Sequence, residues 1–195
     1  MKAYYDRRAR EYDDWYLGTG RFAERERPGW DEEVARLRHA IEALPPGRTL
    51  DVACGTGFLT RHLAGEVVGL DQSDSMLEEA RRRAPQAEYM RGDALELPFR
   101  DAAFDRLFTA HFYGHLENTD RAAFLREARR VAAEIVIVDS ALRDDVEPEE
   151  RQERILNDGS RWEIYKRYFT TDLLANELGG GETLFGGHWF VAVRS

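Results

Sequence analysis

A glycine-rich turn between two apolar segments constrains this sequence most. The first segment, residues 49–53, runs directly into Cys54-Gly55-Thr56-Gly57, and the second, residues 66–71, ends in Asp71. Glycine lets a backbone approach a ligand closely, and an acid at the tip of the next strand can accept both hydroxyls of a ribose. The pattern predicts a strand, a turn that opens a helix, a second strand, and a site for an adenosine-containing cofactor.

Apolar and amphipathic segments alternate after residue 48 and predict the fold class. Because right-handed crossovers pack helices back onto a parallel sheet, we expect an α/β protein, a Rossmann-like three-layer sandwich. Ser73 is a suitable cap for the helix that begins at Asp74. The predicted strands are 49–53, 66–71, 87–91, 103–109 and 134–139, and the predicted helices are 57–64, 74–83 and 120–132.

Two apolar runs near the C-terminus flank a glycine turn. The runs 182–185 and 188–193 are separated by Gly186-Gly187, and a short helix capped by Thr170 or Thr171 precedes them. A two-residue glycine turn between apolar runs is a hairpin signal. The sheet is therefore predicted to end in an antiparallel pair.

Helical spacing predicts two helices before the first strand. The second of them ends at Pro45-Pro46-Gly47, because proline cannot continue a helix. The residues at helical spacing are Tyr5, Arg8, Tyr12 and Trp15 in the first helix, and Val34, Leu37, Ile41 and Leu44 in the second.

Residues 140–168 carry charges and aromatic side chains without a clean period. They are predicted to form a connection with one or two short helices. The chain is interpreted as one domain over residues 1–195. Its parts are an N-terminal helical segment (1–46), a cofactor-binding core (47–140), a candidate substrate segment (141–170), and a final helix and hairpin (171–195).

The formal charge of −9 limits the kinds of molecule that this protein is expected to bind. Negative charge repels a phosphate backbone, and the basic clusters at 81–83 and 121–130 fall on predicted amphipathic helices, so we expect no nucleic-acid partner. The longest apolar runs are far shorter than the roughly 20 residues of a membrane-spanning helix, so no membrane segment is expected. The N-terminus lacks the apolar core of a secretion signal, and we expect a cytoplasmic location.

Cys54 is the single cysteine of the chain, which excludes an internal disulfide and a cysteine-rich zinc site. A nucleophilic thiol would need an activating base, and none is adjacent in sequence. Cys54 is therefore interpreted as a small residue packed inside the turn. His111 and His115 alone are too few ligands for a metal site, and no metal is expected.

Four motifs follow one another in register: DVACGTG at 51–57, GLDQS at 69–73, RGDALELPF at 91–99 and FDRLFTAH at 104–111. Together they resemble the class I S-adenosylmethionine-dependent methyltransferases, in particular the small-molecule branch. The resemblance implies S-adenosylmethionine (SAM) as cofactor and S-adenosylhomocysteine (SAH) as product. It also implies a seven-stranded, mostly parallel sheet in the order 3-2-1-4-5-7-6 with an antiparallel last strand.

The resemblance further implies roles for the glycine loop and the second strand. The backbone of Ala53, Gly55 and Gly57 would line the methionine portion of SAM, and Asp51 would orient its amine. Asp71 would hold the ribose hydroxyls, since a carboxylate accepts hydrogen bonds and hydroxyls donate them.

The adenine end of the cofactor involves a second set of residues by the same resemblance. Gln72 and Met76 would lie near the ring, Asp93 would accept from the amino group, and the Ala94 N–H would meet the ring. Thr109 completes the cofactor set. Asp93 is otherwise a cap or turn former, and Met76 a core methionine.

The N-terminal helices close over the cofactor in relatives, so residues 1–46 are predicted to form a lid. Tyr12 is its expected cofactor contact, and plain core packing is the alternative. The candidate contacts for the acceptor lie C-terminal to residue 160, where side chains could bind an aromatic or acidic acceptor or simply cover the sheet. These are Trp162, Tyr165, Lys166, Arg167 and Tyr168.

His111 and His115 follow the fourth strand, at the carboxyl edge where open α/β sheets bind ligands. Histidine titrates near neutral pH, so both are candidate bases for an acceptor that must lose a proton. A histidine at this position can equally pack against the cofactor or bond a backbone carbonyl.

The function predicted from these features is methyl transfer from SAM to a small-molecule acceptor by in-line displacement, with catalysis mainly by proximity and orientation. The protein would act as a monomer or homodimer. A non-catalytic SAM-binding subunit is the alternative, since fold does not establish function. An NAD-dependent dehydrogenase is disfavoured, because Phe58 and Thr60 stand where a third glycine would permit close helix packing.

Overall fold

The computed structural model describes residues 2–195, and a seven-stranded sheet runs through its centre. The strands are β1 (Gly47–Val52), β2 (Gly65–Asp71), β3 (Glu88–Arg91), β4 (Phe104–Ala110), β5 (Ala132–Ser140), β6 (Glu149–Ile155), β7 (Arg161–Arg167), β8 (Glu182–Gly186) and β9 (Phe190–Arg194). The helices are α1 (Lys2–Arg8), α2 (Asp14–Leu17), α3 (Trp30–Glu42), α4 (Asp74–Arg83), α5 (Asn118–Val131) and α6 (Thr171–Glu177).

The order of the sheet is β3-β2-β1-β4-β5-β9-β8, in which β1 to β5 are parallel and β9 is antiparallel to both of its neighbours. Without the separate β6-β7 hairpin, this is the predicted order 3-2-1-4-5-7-6. The predicted fold class and the C-terminal antiparallel pair are therefore confirmed.

The middle strands are apolar along their length because helices cover both faces of the sheet. Leu107 and Ile137 are fully buried on one face, and Phe108 and Val136 are fully buried on the other. Helix α5 passes directly into β5 at Ala132, so the crossover has almost no loop. These strands hold the carboxyl edge of the sheet in place.

The predicted helix over 57–64 is wrong: only one 3-10 turn, Thr60–His62, forms there. Gly55 and Gly57 both have positive φ, at 55° and 75°, so helical geometry is unavailable until after them. The segment left before β2 is too short to form enough hydrogen bonds to offset the unfavourable free energy of helix nucleation.

The short helices predicted within 140–168 are also wrong, because β6 and β7 form an antiparallel hairpin. The hairpin is mostly half-buried and rich in charged residues, so the usual apolar alternation is faint in its sequence. Ion pairs cross between its strands, directly opposite in Arg167 with Glu149 at 2.8 Å and diagonally in Arg161 with Glu153 at 2.7 Å. The dipeptide Asp158-Gly159, which is typical of hairpin turns, was the feature of the sequence that could have indicated this hairpin.

The first predicted N-terminal helix is broken rather than continuous, since a 3-10 turn over Ala9–Glu11 separates α1 from α2. This broken segment is tied to the core at three places. Ser73 Oγ donates to Asp6 Oδ1 at 2.6 Å, Thr56 Oγ1 donates to Asp13 Oδ1 at 2.6 Å, and the Tyr16 ring stacks on Phe58 at 4.0 Å.

The same segment reaches the β6-β7 hairpin on its other side. Arg7 pairs with Asp158 at 3.2 Å, and the backbone N–H of Asn157 donates to Glu11 at 2.9 Å. Residues 2–17 therefore bridge the glycine loop and the hairpin. Within residues 2–195, no helix combines the length and the apolar character needed to cross a membrane.

Two threonine or serine caps allow a direct test of how the N-terminal segment is anchored. The Ser73 hydroxyl accepts from Met76 N at 3.2 Å and also binds Asp6, whereas Thr170 only accepts from Leu173 N at 3.1 Å. We expect Thr170→Ala to cost about 1 kcal/mol of unfolding free energy and Ser73→Ala about 2 kcal/mol, measured by urea denaturation. Equal losses would show that the Asp6 contact contributes nothing.

Candidate active site

A cavity of about 280 Å³ opens at the carboxyl edge of the sheet, between β1 and β4. The chain leaves β1 toward β2 and β3 on one side and returns to β4 on the other, and such reversals leave a crevice that binds ligands. Ten of the thirteen predicted site residues line it: Tyr12, Ala53, Gly55, Asp71, Gln72, Met76, Asp93, Ala94, His111 and His115.

Asp71 ends β2 and faces this cavity with its carboxylate fixed. One oxygen accepts from the Gly55 backbone N–H at 3.0 Å, and the other accepts from Ser73 N at 2.9 Å. Burial raises the pKa of Asp71, and these backbone N–H groups oppose the rise. A carboxylate has about four acceptor sites, so Asp71 can still accept from a hydroxyl beside these N–H groups.

The glycine loop has the backbone geometry that its sequence requires. Gly55 and Gly57 lie in the left-handed region, and Ala53 joins them with φ of 56° despite its side chain. A Cβ on Gly57 would lie 3.2 Å from the Ala80 Cα, so this glycine permits close packing against α4. Left-handed non-glycine residues are uncommon and are concentrated at functional sites.

Three predicted cofactor residues lie off the cavity wall. Asp51 is 2 % exposed and accepts from Thr60 Oγ1 at 2.6 Å, and burial raises its pKa to about 7. Thr109 donates to the Val52 carbonyl at 2.7 Å and so ties β4 to β1. Gly57 packs on α4, as described. These three residues, Asp51, Gly57 and Thr109, thus make contacts within the protein around the loop and do not line the cavity. Their cofactor roles stay predictions.

The residues expected near adenine line the cavity, and two of them also have the structural roles given as alternatives, so their contact with adenine stays a prediction. Asp93 forms a turn in which its Oδ1 accepts from Leu95 N at 2.9 Å, and it also lines the cavity. Met76 is 1 % exposed in the first turns of α4 and still forms part of the wall. Gln72 lies beside Asp71 with its side chain exposed.

His111 occupies a strained and buried position at the end of β4. Its φ is 54°, it is 7 % exposed, and within residues 2–195 neither ring nitrogen has a hydrogen-bond partner. Aromatic edges surround the ring, with Trp15 at 4.8 Å between centroids. Burial lowers the pKa of His111 to about 3, so the imidazole is neutral near pH 7.

His115 differs because one of its ring nitrogens is engaged. Nδ1 lies 2.7 Å from the Tyr165 carbonyl of β7, which requires Nδ1 to donate. Burial, followed by the nearby Lys166 charge, lowers the pKa of His115 to about 3. The carbonyl bond anticipated as an alternative is therefore present.

The N-terminal segment forms the roof of the cavity. A Cβ on Gly55 would lie 3.8 Å from the Tyr12 ring, so Tyr12 lies over the glycine loop. The Arg8 guanidinium lies over the same ring at 4.7 Å. Burial raises the pKa of Tyr12 to about 12, which keeps its hydroxyl protonated.

Sequence reasoning missed several wall residues. Leu95 and Leu116 supply apolar surface, and Asp120 faces the cavity from the first turn of α5. Leu95 belongs to the 91–99 motif and could have been found there, whereas nothing local marks Asp120. Of the part of the chain that is described, no group of three or more His, Cys, Asp or Glu is placed to hold a metal ion.

Comparisons with known proteins identify a methyltransferase domain in this chain. Residues 49–134 match the model of a methyltransferase domain family. The chain is 40% identical over 107 residues to demethylmenaquinone methyltransferase of Thermotoga maritima. The matched region covers 52% of this chain and 44% of that protein. It is 35% identical over 148 residues to 2-phytyl-1,4-naphtoquinone methyltransferase of Trichormus variabilis, with 67% and 59% covered. The chain spans about half the length of the curated relatives it matches.

Solved structures extend the similarity over nearly the whole chain. A DhpI–SAH complex has a TM-score of 0.71 and 28% identity, over 98% of this chain and 92% of that one. A DhpI–SAM–HEP complex has a TM-score of 0.71 and 25% identity, over 99% and 94%. The methyltransferase-domain match over residues 49–134, the four motifs, the sheet order and these solved structures are together consistent with the class I S-adenosylmethionine-dependent methyltransferase superfamily.

Proposed function

We propose that this chain binds SAM in the cavity at the carboxyl edge and transfers its methyl group to a small-molecule acceptor. The fixed carboxylate of Asp71 carries the proposal, since it presents two oxygens to the cavity beside the positive-φ glycine loop. The relatives' names, which are those of methyltransferases with small-molecule quinone acceptors, support the same reaction class.

Different residues of the cavity would contact the methionine, ribose and adenine portions of SAM. The Ala53 and Gly55 backbone would contact the methionine portion, Asp71 the ribose, and Asp93 with Ala94 the adenine. The apolar roof and wall exclude water from this region, which strengthens the polar contacts that remain. When bound, SAM supplies an electrophilic methyl group on a sulfonium.

Methyl transfer needs little covalent chemistry from the protein. With SAM bound, an acceptor lone pair would bond to the methyl carbon as the carbon–sulfur bond breaks, and the electron pair of that bond would stay on sulfur to give SAH. The contribution of the chain is to hold the acceptor in line and at reacting distance. Tyr12 and His111 lie at the boundary between this cavity and its neighbour, where an acceptor would approach.

The two histidines are suited to orienting an acceptor rather than to deprotonating it. A base works best when its pKa lies near the working pH. Burial lowers the pKa of both imidazoles far below neutral pH. His111, whose ring nitrogens have no partner among the described residues, can donate or accept one hydrogen bond. We therefore propose a positioning role for His111.

The neutrality of these histidines can be measured directly. We expect the ring carbon and proton shifts of His111 and His115 to stay constant between pH 5 and 8 in NMR titrations, because burial opposes protonation. Since the unfolded chain binds these protons near pH 6.5 and the folded chain does not, stability should fall as pH drops below that value. A titration midpoint between pH 6 and 7 for either residue would contradict this.

Cofactor binding tests the central part of the proposal. We expect calorimetry to show micromolar binding of SAM and SAH and no heat with NAD, and we expect Asp71→Asn to weaken SAM binding at least about tenfold, because an amide offers one acceptor oxygen instead of two. Asp74→Asn, an exposed carboxylate three residues away, serves as control and should change affinity less than about twofold. An Asp71→Asn affinity within threefold of the parent, or binding of NAD alone, would reject the assignment.

Turnover separates the enzyme from a non-catalytic SAM-binding subunit. Release of SAH should be assayed with phenols, amines, carboxylates and quinol precursors. We expect release above the acceptor-free rate with at least one of these classes, because the cavity adjoins space for a second small molecule. Tight SAM binding without release for any class would favour the binding subunit.

A further inference from the structure

A second cavity of about 360 Å³ adjoins the proposed cofactor cavity. It lies between the N-terminal segment, β7 of the hairpin and the carboxyl ends of β4 and β5. Tyr12, His111 and His115 line both cavities, so a molecule in the second would lie next to one in the first. We call this second space the acceptor chamber.

The acceptor chamber has a charge opposite to that of the protein. The chain as a whole has 28 basic and 37 acidic residues. The chamber wall instead has six basic residues against two acidic ones, Glu26 and Asp145. The basic residues are Arg8, Arg25, Arg27, Arg143, Arg154 and Lys166.

Four of these six cations form no ion pair within residues 2–195, and of the four, Arg8 and Arg154 are more deeply buried than Arg25 and Arg27. Lys166 pairs with Asp139 at 2.5 Å and Arg143 with Asp145 at 2.9 Å. Arg8 donates to the Tyr4 hydroxyl at 2.7 Å and Arg154 donates to the Gln152 amide oxygen, and neither forms an ion pair within residues 2–195. A guanidinium has five N–H donors, so most of theirs remain available.

Placing unpaired cations together away from water is unfavourable without a compensating group. Burial lowers the pKa of Arg154, and the charge of Arg8 lowers it further. Arg8 belongs to α1 and Arg154 to the hairpin, so the two side chains line the same cavity only because the fold brings these elements together. An anion would relieve this repulsion and accept charge-assisted hydrogen bonds from both.

Building on the proposed function, we infer that the acceptor chamber binds a small molecule through an oxyanion, of the carboxylate or phosphate type, held by Arg8 and Arg154. His111, buried with both nitrogens unpartnered among the described residues, faces the chamber and can hydrogen-bond the same molecule. Aromatic walls, including Trp15 and Trp189, suit a flat or apolar body attached to the anionic group.

Isothermal titration of the SAH-saturated protein tests this inference with benzoate, inorganic phosphate and benzamide. Benzoate and benzamide have the same shape and differ in charge. We expect benzoate to bind at least about tenfold more tightly than benzamide, since hydrogen bonds to charged groups contribute more than neutral ones. Equal binding of the two, or binding of benzamide alone, would show that the chamber takes an uncharged acceptor and would overturn the inference.

Matched variants show whether the intended arginines are responsible. Arg154→Gln and Arg8→Gln should each weaken benzoate and phosphate binding at least about tenfold, while Arg161→Gln should not. Arg161 is an exposed hairpin arginine paired with Glu153 and lies outside the chamber wall. Equal effects of Arg154→Gln and Arg161→Gln would overturn the inference.

Failure here can be told apart from failure of the proposed function. Arg154→Gln should leave SAH affinity unchanged, because Arg154 does not line the cofactor cavity. Intact SAH binding without charge-selective benzoate binding would reject the anion site and leave the cofactor proposal standing. If SAH does not bind, the same titrations of the free protein still measure the Arg154-dependent anion affinity, and its absence would overturn the anion site too.

Discussion

The reversal of strand order beside β1 is the constraint on which the site depends. Strands β2 and β3 lie on one side of β1 and β4 lies on the other, so the loops after β1 and β4 diverge and leave a cavity between them. The residue that follows β1, Ala53, and the one that follows β4, His111, both have positive φ. The backbone is strained on both sides of the same crevice, which is where functional sites concentrate such strain.

The buried ion pair between Lys166 and Asp139 completes the site by placing the hairpin. Asp139 lies at the end of β5, accepts from Gly114 N at 2.7 Å and from Lys166 Nζ at 2.5 Å, and is fully buried. Burial alone would raise the pKa of Asp139, and Lys166 lowers it below its usual value. Removing one partner would leave an uncompensated buried charge, so this pair fixes β7 against the sheet. The position of Arg154 in the acceptor chamber follows from it.

Most of the fold and much of the site could be predicted from the sequence. The strand order was confirmed, and the Ser73 and Thr170 caps form as the sequence predicts. The caps depend on local chemistry, whereas the strand order was implied by the resemblance that the four motifs carry. The missed hairpin has strands that are mostly half-buried and rich in charged residues, so their apolar periodicity was too weak to reveal them. The basic side of the acceptor chamber was missed with it.

The sequence by itself determined the individual strands of the parallel sheet, the glycine loop and the carboxylate at the tip of β2, because each rests on residues close together in the chain. Tertiary structure alone decided that Asp51 supports the loop from behind and that both histidines are neutral, since burial depends on what packs against them. It also decided that Arg8 and Arg154, which are far apart in sequence, line one cavity. Charges that are distant along a chain come close enough to interact strongly only when the chain folds.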